Sequence, residues 1–204
     1  MTIKQSPSAT SRRTVIKGLA SGLVASAFVP LLPFSSSNAA PMDLAGKKTL
    51  IVYYSRSGNT RQIVGQIQKS IQADTVELQT VYPYPTEYRP MTQQAKKELE
   101  GGYRPPLSTK IDNIEKYDVI IIGSPNWWGT MAMPVFTFLE SYDLSGKTIA
   151  MYITHEGSRL GNSMNDLKRL CSKSTFLEGL AIRGGSVASA QGDVDKWLRA
   201  IGLM

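Results

Sequence analysis

From residue 48 onward, short apolar runs alternate with stretches in which apolar residues recur every three or four positions. Leu50-Ile51-Val52-Tyr53-Tyr54 is an unbroken β-rich run, the pattern of a strand buried on both faces. Asn59 or Thr60 opens a helix whose apolar face is Ile63, Val64, Ile67 and Ile71. Thr75-Val76-Glu77-Leu78 alternates, which suits a strand near a sheet edge. Tyr82-Pro83-Tyr84-Pro85 excludes helix, whereas Pro90 suits the first turn of a helix that runs to Glu100 and is closed by Gly101-Gly102. After the extended connector Arg104-Pro105-Pro106, residues 119–122 form the most hydrophobic run, expected at the centre of a sheet. Val135, Phe138, Leu139 and Tyr142 mark a helix, 149–153 a strand, 164–171 a helix, and 176–182 hold another strand. Val194, Trp197, Leu198 and Ile201 are the face of a last helix. Five strands with intervening helices predict an α/β domain with a parallel sheet covered on both faces.

In such a sheet, ligands bind beyond the carboxyl ends of the strands, where the strand order reverses. Three loops leave those ends here. Ser55-Arg56-Ser57-Gly58-Asn59-Thr60 offers what a phosphate needs: hydroxyls, a glycine that lets the backbone curl, and a helix N-terminus. No Gly-Lys-Ser/Thr follows, which disfavours a nucleoside triphosphate loop. Ser124-Pro125-Asn126-Trp127-Trp128-Gly129 carries two adjacent indoles, either of which can stack on a flat ring system. Neighbouring residues rarely share a face, so the expectation is that one of the two reaches the ligand. Thr154-His155-Glu156-Gly157-Ser158-Arg159-Leu160-Gly161 contains the single histidine. With no second histidine and no cysteine nearby, it does not read as a metal site, and no nucleophile elbow accompanies it.

Composition narrows the picture. One cysteine, Cys171, excludes an intramolecular disulfide, and its helical spacing with Met164, Leu167 and Leu170 suits a buried apolar thiol. The formal charge of +7 overstates the basicity of the domain. Lys4, Arg12, Arg13 and Lys17 precede any acidic residue; without them the remaining 19 basic and 16 acidic residues leave about +3. No basic run with interleaved aromatics follows, so nucleic acid is not an expected partner.

Those four cations belong to an address. Ser11-Arg12-Arg13-Thr14-Val15-Ile16-Lys17 resembles a bacterial twin-arginine signal, and the weakly apolar stretch 18–34 is interrupted by Pro30 and Pro33. Ser37-Asn38-Ala39 fits a small-x-small cleavage site. The expected organisation is a signal peptide over 1–39, a short linker over 40–47 and the domain over 48–204. Such an address is read by a receptor and is no anchor. It carries folded proteins, so a cofactor inserted in the cytoplasm travels with its protein to the periplasm or another extracytoplasmic space.

Taken together, the three loops in this order resemble the flavodoxin family, particularly members with a Trp-Trp-Gly loop, over nearly all of residues 48–202. The resemblance includes Tyr54 to Thr60, Tyr82 to Pro85, Tyr117 to Ile120, Pro134 to Glu140, Leu144 to Ile149 and Thr154 to Gly161. It implies a flavodoxin-like three-layer sandwich whose five-stranded parallel sheet has the order 2-1-3-4-5. It implies FMN as cofactor, with no side chain acting as acid, base or nucleophile. Ser55, Ser57, Asn59 and Thr60 would hold the phosphate, with backbone from Arg56 and Gly58. Pro125, Asn126, Trp127, Trp128 and Gly129 would flank the flavin ring, as would Thr154, His155, Glu156, Gly157 and Ser158. Flavodoxins are commonly acidic. Here Arg56 and Arg159 lie in site loops against Glu156 alone, which puts the usual basic partners in doubt.

Three functions fit this reading. The first is an electron carrier between redox proteins or small quinone-like acceptors; the second is an FMN-dependent reductase of such acceptors, fed by NAD(P)H. The third is a flavodoxin-fold binding module without FMN, against which the intact phosphate loop argues. Fold alone does not choose among them. The address has its own test: replacing Arg12 and Arg13 together by lysine is expected to keep the precursor in the cytoplasm. Cell fractionation checks this, and unchanged periplasmic accumulation would overturn the twin-arginine reading.

Overall fold

The computed structural model describes residues 43–204; the expected signal peptide and the first residues of the expected linker lie outside the described residues. Strand β1 (Thr49–Tyr53) is followed by helix α1 (Asn59–Ser70), β2 (Asp74–Glu77) and α2 (Tyr88–Gly101). Then come β3 (Val119–Trp127), β4 (Thr130–Met131), α3 (Met133–Ser141), β5 (Thr148–His155) and α4 (Ser163–Leu170). The chain ends with β6 (Thr175–Phe176), β7 (Leu180–Arg183) and α5 (Gln191–Ala200). The main sheet runs β2-β1-β3-β5 and then β6 and β7, with all these pairs parallel. This is the expected 2-1-3-4-5 order.

Residues alternate along each central strand, so one strand feeds two cores. Leu50 and Val52 of β1 join Ile120 and Ile122 of β3 in the core under α2, α3 and α4. Ile51 and Tyr53 join Val119 and Ile121 in the core under α1 and α5, where Ile63, Ile67, Val194 and Leu198 pack. The unbroken apolar runs in the sequence follow from this two-sided burial. Cys171 lies buried at the end of α4, and that burial pushes its thiol up to about 11.

Two features depart from the sequence expectations. The fifth strand position is split: β6 and β7 both pair with β5, and residues 177–179 bulge between them. The Glu178 carbonyl turns out of the ladder to accept the Trp197 Nε1–H of α5 at 2.8 Å. Leu160 and Met164 crowd the face of Gly179 at 3.2 Å from where a Cβ would sit. Secondly, β3 continues through the segment expected to be a loop. It turns back at Trp128-Gly129 into the antiparallel β4, pairing Trp127 with Thr130 and Asn126 with Met131. Trp128 and Gly129 both have positive φ, 53° and 87°. That is the signature of a two-residue hairpin turn whose twist matches its strands.

The centre of the sheet is tied to the start of α1 by one fully buried side chain. Tyr152 of β5 lies across Gly123 of β3 and donates its hydroxyl to the Thr60 carbonyl at 3.2 Å. A Cβ at Gly123 would overlap the end of that ring. Tyr152→Phe is therefore expected to cost about 0.5–1.5 kcal/mol, the net worth of a hydrogen bond. Gly123→Ala is expected to cost about 1–3 kcal/mol or more as overpacking. The alanine should cost less in the Tyr152→Phe background, where displacing the ring no longer breaks the bond to the Thr60 carbonyl. Denaturant unfolding of the two single variants and the double variant measures this non-additivity.

Candidate functional site

The reversal of strand order falls between β1 and β3, since β2 lies to one side of β1 and β5 to the far side of β3. The loops after β1, β3 and β5 meet there around a cavity of about 500 Å³. From the first loop, Arg56, Ser57 and Asn59 line it. Pro125, Asn126, Trp127, Trp128 and Gly129 line it from the second, and Thr154, His155, Glu156, Gly157 and Ser158 from the third.

Three expected site residues stand behind the wall. Gly58, with φ 92°, is the N-cap of α1 and gives the helix no side-chain cap. Ser55 turns its Oγ back to accept the Arg61 N–H at 3.2 Å. Thr60 is buried, its hydroxyl 3.0 Å from that of Thr154. Thr60 thereby ties the start of α1 to β5 by hydroxyl and carbonyl alike, and does not present its side chain to the cavity. The first turn of α1 holds no acidic residue. An α-helix leaves its first amides without internal partners, and its dipole favours an anion at that end. Arg56 reaches across to donate to the Thr86 carbonyl, while its Nε is buried with no partner.

Trp127 and Trp128 both face the cavity, because the turn at Trp128 breaks the alternation of the strand. Their settings differ. Trp127 stands edge-on to Tyr54 and Tyr84, with ring centroids 5.4 and 5.0 Å away. Burial pushes both tyrosine hydroxyls well above their usual range. The Tyr84 hydroxyl donates to the buried Glu98, which also accepts Gln94 Nε2 at 2.8 Å. Trp127 is thus a rigid part of the floor. Trp128 is about half exposed; its Nε1–H donates to the Thr92 carbonyl of α2 at 2.9 Å, and Lys96 Nζ lies 5.2 Å from its ring.

Asn126 serves as a clip. Its Nδ2 donates to the Arg159 carbonyl at 3.1 Å, and its Oδ1 accepts the Gly129 N–H at 3.1 Å. The Gly129 carbonyl in turn accepts the Asn162 N–H at 2.7 Å. Gly161, with φ 52°, sits so close to that carbonyl that a side chain there would overlap it. His155 is half-buried with its Nδ1 unpartnered. Burial, helped by the charges of Arg159 and Arg183 and opposed by Glu156, holds its pKa below the usual histidine value.

Sequence reasoning missed one wall. Tyr88, Met91, Thr92 and Ala95 line the cavity from α2. The signal was available in their spacing of three, four and seven residues, the stripe of one helix face. It was hidden because α2 follows β2, at the edge of the sheet, and no loop motif points from it to the site.

Residues 48–201 match the family model described as flavodoxin. Comparison with curated proteins gives no match. Among solved structures, the chain is similar to one from Bacteroides eggerthii DSM 20697 assigned as a flavoprotein. The identity is 26%, the TM-score 0.65, and 78% of this chain and 99% of that one are covered. It is also similar to a flavoprotein from Lactobacillus acidophilus NCFM solved in complex with FMN: 26% identity, TM-score 0.59, covering 74% and 98% of the two chains. A family model that matches three quarters of the chain, from the first strand of the sheet to the end of α5, shows that this protein belongs to the flavodoxin family.

Proposed function

We propose that this protein binds FMN in the cavity at the β1–β3 switch point and carries electrons between redox partners outside the cytoplasm. Family membership and the FMN complex of the Lactobacillus relative support the cofactor. The donors present fit it. The acid-free N-terminus of α1, where Ser55 takes up only the Arg61 amide, and the unpartnered Arg56 Nε suit a phosphate, and two indoles border the space where a flat ring system would lie. The convergence of these three unlike loops on one cavity is the observation that carries the reading.

Ser57 and Asn59 would hold the phosphate together with the first amides of α1, while Ser55 and Thr60 keep the loop and the helix start in place. Trp127 would bound the ring on its rigid side. The strand end and loop from Thr154 to Ser158 would close the opposite edge. Bound there, FMN supplies the electron chemistry, and the protein sets its potential through the charges and dipoles around it. Arg56 and Glu156 are the charged side chains on the cavity wall, with His155 and Tyr88 beside them, so the balance of sign there is less acidic than flavodoxins commonly have. The partners that fit are redox proteins or small quinone-like acceptors, and the resemblance of residues 11–17 to a twin-arginine signal supports partners outside the cytoplasm.

A second reading, an NAD(P)H-fed reductase of quinone-type acceptors, is favoured by the α2 wall. Tyr88, Met91 and Ala95 add an apolar side to the cavity next to Trp128, and a planar acceptor can lie against it. The purified protein separates these readings. Flavin absorption bands on the isolated chain support the cofactor, and a colourless chain that takes up no FMN would sink the proposal. Bleaching by NAD(P)H with turnover on a quinone selects the reductase.

The phosphate assignment has its own test. Ser57→Ala removes a hydroxyl that would bond a charged oxygen, an interaction worth about 1.5–3 kcal/mol, so FMN affinity is expected to fall about tenfold or more. Affinity for riboflavin, which lacks the phosphate, should not change. Equal losses for both ligands in fluorescence titrations would show that Ser57 does not touch the phosphate.

A further inference from the structure

Two glycines follow β7, and their surroundings differ. Gly184 is half-buried and Gly185 exposed. Neither has a left-handed φ, so backbone conformation requires glycine at neither position. Space requires it at Gly184. A Cβ built there would overlap the Glu156 carboxylate and come within 2.8 Å of Asn59 Nδ2. At Gly185 nothing lies within 4 Å. Glu156 belongs to the third loop and Asn59 to the start of α1, and both line the cavity. The bare face of Gly184 is where they meet. Both overlapping groups are the ends of flexible side chains, so a methyl group there shifts side chains and leaves the backbone in place.

We infer that Gly184 is a positioning residue of the FMN site: the space left by its missing side chain seats the Glu156 carboxylate and the Asn59 amide on the cavity wall. The inference rests on the FMN reading above. Glu156 is the single acidic side chain on that wall, so its seat decides how near a negative charge comes to the phosphate at the N-terminus of α1. Asn59, the first residue of α1, is moved by the same methyl group. Gly184 acts on the ligand through these two side chains and touches none of its reacting atoms.

The test uses the full chain stripped of flavin and titrated with FMN, following the change in flavin fluorescence. Gly184→Ala is expected to weaken FMN binding about tenfold or more, while the unfolding temperature of the apoprotein is kept. Gly185→Ala is expected to bind as the parent does. In a Glu156→Ala background the further loss caused by Gly184→Ala should shrink, because the group it displaces is absent. A Gly184→Ala variant that binds FMN as tightly as the parent overturns the inference. So does a loss of the same size in the Glu156→Ala background, which would make the effect merely structural. A parent chain that binds no FMN refutes the cofactor reading itself, a result distinct from tight binding by parent and variant alike.

Discussion

The hydroxyl of Tyr152, lying over Gly123 and bonded to the Thr60 carbonyl, is the contact on which the rest of the site depends. It crosses from the centre of the sheet to the first turn of α1 in a space from which solvent is absent. It sets how far the helix start stands from the carboxyl ends of β3 and β5. The Thr60–Thr154 hydroxyl pair adds a second tie between the same elements. With the helix end held in this way, a ligand meets amides that are already oriented. Its binding then loses little free energy to ordering the loop, which is the advantage of preorganisation.

Much of this was legible in the sequence for a simple reason. A parallel sheet buried on both faces leaves unbroken apolar runs, and its binding loops must follow those runs directly. Residues 50–54, 119–122 and 149–153 therefore located the loops at Ser55, Ser124 and Thr154 without any tertiary information. What escaped depends on contacts between distant segments. The splitting of the last strand position follows from a Trp197 bond to the Glu178 carbonyl, which no local pattern announces. The continuation of β3 through Trp127 depends on a non-glycine residue adopting positive φ at Trp128. For Ser55 and Thr60 the resemblance supplies a place in the loop motif but not the direction in which each hydroxyl points. Whether such a hydroxyl faces a cavity or the Arg61 amide and the Thr154 side chain is decided by packing.

The site is also divided by stiffness. Trp127 is held by Tyr54 and Tyr84, and these rest on Glu98 of α2 through a buried hydrogen bond. This side is continuous with the core. Trp128 instead hangs from α2 by one indole bond and a nearby lysine, half in solvent. Side chains so exposed exchange rotamers on the ps–ns scale, whereas the floor beneath moves only with the core. A cavity with one fixed side and one yielding side can keep its cofactor in register while admitting a second molecule at its edge.

The hairpin between β3 and β4 sets a limit on how this loop can change over evolutionary time. Its turn has two residues, and pairing fixes Asn126 opposite Met131 and Trp127 opposite Thr130. One residue inserted in the turn would shift the pairing of β4 and carry the Gly129 N–H away from Asn126. In this chain the chemistry of the segment is therefore open to change by exchange of side chains, whereas lengthening the turn works against its paired register. Innovation in length has to fall elsewhere, where loops carry no paired register.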